Sequence, residues 1–333
     1  MAGCRNDSGE SSSVADDNSS VTETVTTEIE YPLTLKVGYS TGADDPRGIA
    51  LDSFCKTVTD KTNGSIIFEI HPAGELGSDS VLISGMIEKE VDMTVSSAGN
   101  YALYATKIGI SALPFLFDDF ESAWKFIDSD KMQSLNTELE SYNMHVLAYF
   151  DNGFRCVTTS ENIGAVNNAG DMNGLNIRTP ENQIVMETMS ELGANPRSYP
   201  FAELKQALTD GVFDAQENPI PVIYNNRLYE VQKYLSITNH SYDAMPLTIR
   251  QDIWEQFTPE YQKIITEAAN EAQTLDRSLV KQQTEECVKE LEANGMLVVY
   301  PDLEPFRNAT TGVVDMFRTV YGEELIEYVM NNK

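Results

Sequence analysis

Residues 33–96 read LTLKVGYSTGADDPRGIALDSFCKTVTDKTNGSIIFEIHPAGELGSDSVLISGMIEKEVDMTVS, and their punctuation decides the fold class. Leu33 to Val37 alternates apolar and polar residues as a half-buried strand does, and Gly38 to Pro46 follows as a loop rich in Gly and Asp. From Gly48 to Thr62 the pattern turns helical, with Ile49, Phe54 and Val58 along one side, until Asn63-Gly64 stops it. Ser65 to Ile70 is strand again, His71 to Gly77 a loop, Ser78 to Glu88 a helix and Val91 to Ser96 a third strand. Strands and helices alternating at this spacing build βαβ units, so the predicted class is α/β with parallel strands. Ligands of such sheets lie beyond the carboxyl ends of the strands, which nominates the loops Tyr39 to Asp45, Gly74 to Gly77 and Ser96 to Tyr101.

Downstream the alternation resumes. A second lobe is expected from near Arg155 to about Tyr242, with helices over Glu181 to Leu192, closed at Gly193, and Phe201 to Asp210. Gly211 to Gln216 reads as a strand delivering Asn218, and Ser236 to Tyr242 as a crossing back to the first lobe. Two lobes joined by strands form a hinge. Thr258 then caps a helix with Pro259 in its first turn, and the pattern runs to Ala293 before Asn294-Gly295 ends it. At 1.5 Å per residue that is roughly 50 Å, whereas a lobe of about 120 residues is nearer 30 Å across, so the helix is expected to span both lobes. Met296 to Tyr300 reads as a strand, and Leu303 to Val329 as closing helices. The expected division is a tether over 1–30, a first lobe from 31–153 plus about 243–283, and a second lobe with closing helices from 154–242 plus about 284–333.

The chain has 333 residues, 41% of them hydrophobic, and a formal net charge of −29. That balance argues against nucleic acid and against adsorption to anionic lipid, both of which need clustered Lys and Arg. It leaves a small anionic ligand open, because exposed charges are screened over roughly 8 Å at physiological salt. Cys4, Cys55, Cys156 and Cys287 are too few and too scattered for a disulfide scaffold or a zinc site. Cys55 and Cys156 lie in apolar surroundings as plain thiols. Cys4 instead follows Met1-Ala2-Gly3 and precedes a polar tract from Arg5 to Glu30, which is too poor in apolar residues to order itself. Small residues before a cysteine, then a polar tether, resemble a bacterial lipoprotein cleavage site, so Cys4 is a candidate for lipid attachment.

Chemistry-bearing residues concentrate between Asn152 and Pro219. Asn152-Gly153-Phe154-Arg155, Gly174 to Pro180 with Arg178 at the mouth of a strand, and Asp214-Ala215-Gln216-Glu217-Asn218-Pro219 hold two arginines and an asparagine. A guanidinium at a buried strand end either pairs a neighbouring acid or receives an anionic ligand, and its planar fork suits a carboxylate. The three histidines, His71, His145 and His240, stand at no spacing that makes them bases or metal ligands. No GxSxG, HExxH, Walker or GxGxxG motif occurs, and no cofactor is called for.

Four phrases in register carry a resemblance to a family: Lys61-Thr62-Asn63-Gly64, Gly74-Glu75-Leu76-Gly77, Leu113-Pro114-Phe115-Leu116-Phe117-Asp118, and Asp214 to Pro219. Over roughly residues 33–325 the chain resembles the solute-binding subunits of TRAP transporters, the DctP family. The resemblance implies a two-lobed periplasmic-binding-protein fold (type II-like) with a hinge and a long helix across both lobes. It implies a monomer, held outside the cytoplasmic membrane, that binds a small-molecule carboxylate and delivers it to TRAP permease membrane subunits. It gives Arg178 the grip on the ligand carboxylate, helped by Arg155 and Asn218. A carboxylate offers about four lone-pair directions, which two guanidinium groups and one amide can fill. The other lobe, with Glu75, Asn100, Tyr101 and the loop ending at Asp45, would set selectivity; Phe201 could stack on a ligand ring, and Tyr242 lies at the crossing. Many relatives carry a histidine before the proline of that loop, where this chain has Asp44-Asp45-Pro46. An added carboxylate there favours ligand hydroxyls and repels a second carboxylate. Asn152 before Gly153-Phe154-Arg155 resembles members that bind uronates and related sugar acids. The competing classes are an extracellular enzyme, for which only Glu75 with Asp45 can be nominated as a pair, and a sensory lipoprotein.

Overall fold

A computed structural model describes residues 30–332, so Cys4 and the tether lie outside the described residues. Nine strands form one continuous sheet: β1 (Leu33–Gly38), β2 (Ile66–His71), β3 (Met93–Val95), β4 (Met144–Thr159), β5 (Asn176–Thr179), β6 (Asn195–Ser198), β7 (Ala215–Pro219), β8 (Tyr234–Arg250) and β9 (Leu297–Val299). Their order is β2-β1-β3-β8-β4-β7-β5-β6, with β9 added beside β8. The expected parallel pairings are present as β1 with β2 and β3, and as β5 with β6 and β7.

The two lobes share this sheet through β4 and β8, which run antiparallel for most of their lengths. One half of each lies with β3, where Val95 faces Leu247; the other half lies with β7 and β9, where Val157 faces Glu217 and Ser236 faces Val299. Register shifts fall between Asp151 and Gly153 and between Arg155 and Val157, and Gly153 takes φ +100°, so the sheet bends where the lobes meet. The crossing expected over Ser236 to Tyr242 is thus the middle of a 17-residue strand.

Helix α1 (Pro46–Lys61) starts two residues before the expected Gly48, because Pro46 lies in its first turn and not in the loop, with Asp45 as its cap. Its buried face is Ala50, Leu51, Phe54 and Val58; Ile49 points outward. That face meets Leu35, Val37 and Met93 on one side of the first lobe's sheet, and Leu82, Ile83 and Met86 of α2 (Asp79–Ile87) cover the other side. In the second lobe, Leu204, Leu208 and Ile223 pack on one face and Ile177, Met189 and Phe306 on the other.

The long helix covers Pro259–Ala293, capped by Thr258, whose hydroxyl accepts from the Tyr261 N–H at 3.3 Å. Ile265, Ala268, Ala269 and Ala272 enter the first lobe's core, while Cys287 and Leu291 enter the second's, so one helix ties both lobes. Helices Thr311–Tyr321 and Glu323–Asn332 place Val313, Phe317, Leu325 and Val329 in the core around Leu82. Glu323–Asn332 packs on the first lobe, whereas Thr311–Tyr321 also lies against the second-lobe helix Gln183–Glu191, so these closing helices do not sit with the second lobe alone as the division at about 284–333 expected. Among the described residues no helix is long and apolar enough to cross a membrane.

Candidate functional site

Between the lobes lies a cavity of about 150 Å³. The first lobe contributes Arg47, Asp79 and Asn100 with a row of serines; the second contributes Arg178, Phe201 and Asn218; Asn152, Arg155 and Asp243 come from the long strands that join them. The lobes touch across its rim: Asn100 Nδ2 donates to the Glu181 carbonyl at 3.2 Å, so the cleft is closed.

Arg155 and Arg178, read as a pair, do different work. Arg155 is saturated by acids. Its Nε and Nη2 donate to Glu217 Oε2 and Oε1 at 2.5 and 2.9 Å, and Nη1 donates to Asp243 Oδ2 at 2.8 Å. Nη2 also reaches the Glu217 carbonyl at 2.9 Å and Asn218 Oδ1 at 3.1 Å. One Nη1 hydrogen remains. Burial pulls the Arg155 guanidinium down, but Glu217 and Asp243 overcome it and hold the group above its ordinary value. Glu217, pushed up by burial, is brought below the usual carboxylate range by Arg155 and by His240, whose Nε2 lies 3.2 Å away. His240 is itself fully buried with Nδ1 on Thr238 Oγ1 at 2.8 Å, a structural role that its position near the crossing did not reveal.

Arg178 has no such partner. It is 3% exposed and forms no ion pair with any described carboxylate; Nε and Nη2 both donate to the Tyr199 carbonyl, at 2.9 and 2.6 Å. Burial brings its pKa down to about 10. Phe201 lies under the guanidinium at 5.8 Å. Asn218 donates to Gln216 Oε1 at 2.6 Å, and Asn152 to Asp243 Oδ2 at 2.8 Å.

Six of the residues expected in the site therefore line one cavity: Asn100, Asn152, Arg155, Arg178, Phe201 and Asn218. Four do not. Asp45 is buried as the cap of α1, its Oδ1 accepting from the Arg47 backbone N–H at 3.2 Å, with its carboxyl pushed up by burial. Glu75 is exposed and meets His71 Nδ1 at 3.2 Å, so it forms no acid–base pair with Asp45. Tyr101 is a core residue with its hydroxyl on Thr248 Oγ1 at 2.7 Å. Tyr242 packs among Phe117 and Phe154. The cavity instead receives Arg47, Asp79 and Asp243, which the sequence reading passed over. A signal for Arg47 existed: a cation in the first turn opposes the helix dipole, so α1 gains nothing from it there.

Residues 37–319 match the family described as bacterial extracellular solute-binding protein, family 7, DctP. The chain belongs to that family. This family 7 protein is 33% identical over 285 residues to the 2,3-diketo-L-gulonate-binding periplasmic protein of Escherichia coli K12, covering 85% of this chain and 86% of that one. Among solved structures it resembles a TRAP periplasmic solute-binding protein from a Polaromonas species bound to D-erythronate, with TM-score 0.87, 31% identity, and coverage of 90% of this chain and 99% of the other. It also resembles a sugar acid binding protein from Advenella mimigardefordensis in complex with galactonate, with TM-score 0.86, 29% identity, and coverage of 91% and 98%. The family 7 fold, with two lobes on a shared sheet, is that of the TRAP solute-binding proteins.

Proposed function

We propose that this protein captures a hydroxylated monocarboxylate, a sugar acid, in its interlobe cavity outside the cytoplasmic membrane and presents it to a TRAP permease. The observation that carries this is Arg178: a buried guanidinium in the cavity wall, forked on one side to a backbone carbonyl and paired with no carboxylate. A ligand carboxylate would supply the missing charge, with Asn218, Asn152 and the remaining Arg155 hydrogen around it. The relatives named above support the class, since diketogulonate, erythronate and galactonate are all hydroxylated monocarboxylates. Binding without turnover fits a wall in which two of the three acids stand against arginines: Asp243 pairs with Arg155, and Asp79 lies beside Arg47. Attachment of lipid at Cys4 would keep the protein at the membrane where the permease works.

The test is a thermal-shift screen with a panel of organic acids. A ligand well above its Kd raises the midpoint by several degrees for binding alone. Sugar acids should shift it, and Arg178→Ala should abolish the shift. A shift unchanged in Arg178→Ala, or none with any acid, rejects the reading.

A further inference from the structure

Arg178 enters the cavity from the second lobe, and a second guanidinium enters from the first. Arg47 is 2% exposed and is fixed at the start of α1. Its Nη1 donates to Ser40 Oγ at 3.2 Å and to the Val95 carbonyl at 3.4 Å, while Asp79 Oδ1 stands 3.9 Å off, beyond hydrogen-bond reach. Nε is buried without a partner, and Nη2 has none among the described residues. Both cavity ends thus present guanidinium donors that the protein does not use.

The two ends differ in charge balance. Around Arg178 there is no paired acid. Beside Arg47 stand Asp79 and its own helix cap Asp45. A second carboxylate placed at Arg47 would meet these acids, whereas a neutral oxygen takes the free N–H without that repulsion. Hydroxyls of Ser40, Ser78 and Ser80 line the same end and can exchange hydrogen bonds with a polyol.

We propose that Arg47 is a specificity-determining residue: its Nη2 donates to an uncharged oxygen, hydroxyl or keto, at the end of the ligand remote from the carboxylate. This rests on the carboxylate reading of Arg178. It replaces Asp45 as the source of first-lobe selectivity, with a donor in place of an acceptor.

The test uses three acids that share one skeleton: D-galactonate, its 6-deoxy counterpart D-fuconate, and galactarate, which carries a carboxylate at the far end. Affinities are measured by titration calorimetry on the parent, Arg47→Gln and Arg47→Lys. The parent should prefer galactonate over both others by about tenfold or more, the scale of one charge-assisted bond. Arg47→Gln should lose that margin on galactonate while its affinity for fuconate stays at the parent value; Arg47→Lys should keep part of it. Equal weakening for galactonate and fuconate would make Arg47 a structural support only, and preference for galactarate would make it a second carboxylate anchor; binding of none of the three rejects the ligand class. Each overturns the proposal. Failure of the underlying reading looks different, because Arg178→Gln would then bind all three acids as the parent does.

Discussion

Replacing Arg178 by methionine separates a ligand clamp from a structural ion pair. Burial lowers this guanidinium from its ordinary value to about 10, a cost on the order of 3 kcal/mol for keeping it charged. In return the fold receives hydrogen bonds to a single carbonyl, that of Tyr199. Methionine removes the costly charge and leaves one carbonyl on a half-buried residue open to water, so the unliganded protein should change by no more than about 1 kcal/mol in unfolding free energy. The ligand should lose far more. With Nε and one Nη2 hydrogen committed to Tyr199, three hydrogens remain, and the parallel pair on Nη1 and Nη2 can fork a carboxylate. Two charge-assisted bonds at about 1.5–3 kcal/mol each amount to about 3–6 kcal/mol, or ~10²–10⁴ in Kd. Arg155→Met should behave oppositely: it strands Glu217, which has no exposed surface, together with Asp243, and should cost the fold about 3–5 kcal/mol. Urea unfolding of the free proteins and calorimetric titration with the tightest acid measure both quantities. Parent affinity in Arg178→Met, or a fold weakened more by Arg178→Met than by Arg155→Met, refutes the division of labour.

A Cβ at Gly99 would stand 1.7 Å from Nδ2 of Asn182, whose side chain is held as a cap by the Ile184 and Val185 N–H groups at 3.0 and 3.2 Å. Gly99→Ala should therefore hinder closure and weaken binding by about tenfold or more with little change in unfolding; calorimetry, with small-angle scattering of the liganded protein, decides, and a fully compact liganded state contradicts it. Burial raises Asp151 from 3.8 to about 6 and Asp276 well above 3.8. The native state keeps these protons where the unfolded chain has released them, so their contribution is complete below pH 3.8 and declines as pH rises through about 6 for Asp151 and onward for Asp276. Asp276→Asn can still accept the Asp151 N–H, and should flatten that decline and exceed the parent in stability at neutral pH in urea melts; an unchanged slope tells against it. Leu291→Ala, on the long helix in the second lobe's core, should cost about 2–5 kcal/mol by the same assay.

The features legible in the sequence are those decided by near neighbours. Thr258-Pro259 and Asn294-Gly295 mark both ends of the long helix because capping acts within one turn, and Gly295 does take φ +94°. The βαβ spacing of 33–96 was readable for the same reason. By contrast, β4 and β8 carry Asp151, Asn152 and Gly153, and Asn239, Ser241 and Asp243, in their middles, which break the alternation that identifies a strand. Those polar positions are tolerated because partners far along the chain satisfy them: Asp243 receives Asn152, Arg155 and Ser97, which stand 91, 88 and 146 residues away. The same distance hid the difference between the two arginines. Both sit in strands and near a proline or glycine, and only the fold pairs Arg155 with Glu217 and leaves Arg178 with no ion pair among the described residues. Asp45 and Arg47 show the limit at its sharpest. Two residues apart at a helix start, one turns inward to cap and the other into the cleft, so the charge facing the ligand changes sign.

The Asp243 network also explains how a monoanion could be preferred to a dianion. The cavity wall holds Arg47, Arg155 and Arg178 against Asp79, Glu181 and Asp243, three charges of each sign. Glu181 lies toward solvent, so the inner lining sets Arg47 and Arg155 against Asp79 and Asp243 and is close to neutral apart from Arg178. One carboxylate on Arg178 adds a single negative charge beside a cation that lacks a partner; a second would meet Asp79 beside Arg47 or have to displace Asp243 from Arg155. Breaking the latter leaves a buried acid uncompensated, which costs several kcal/mol. Asp243 lies on β8 and Arg155 on β4, so that same pair ties the two long strands together at the bend. A ligand that disturbed it would loosen the closure on which its own binding depends.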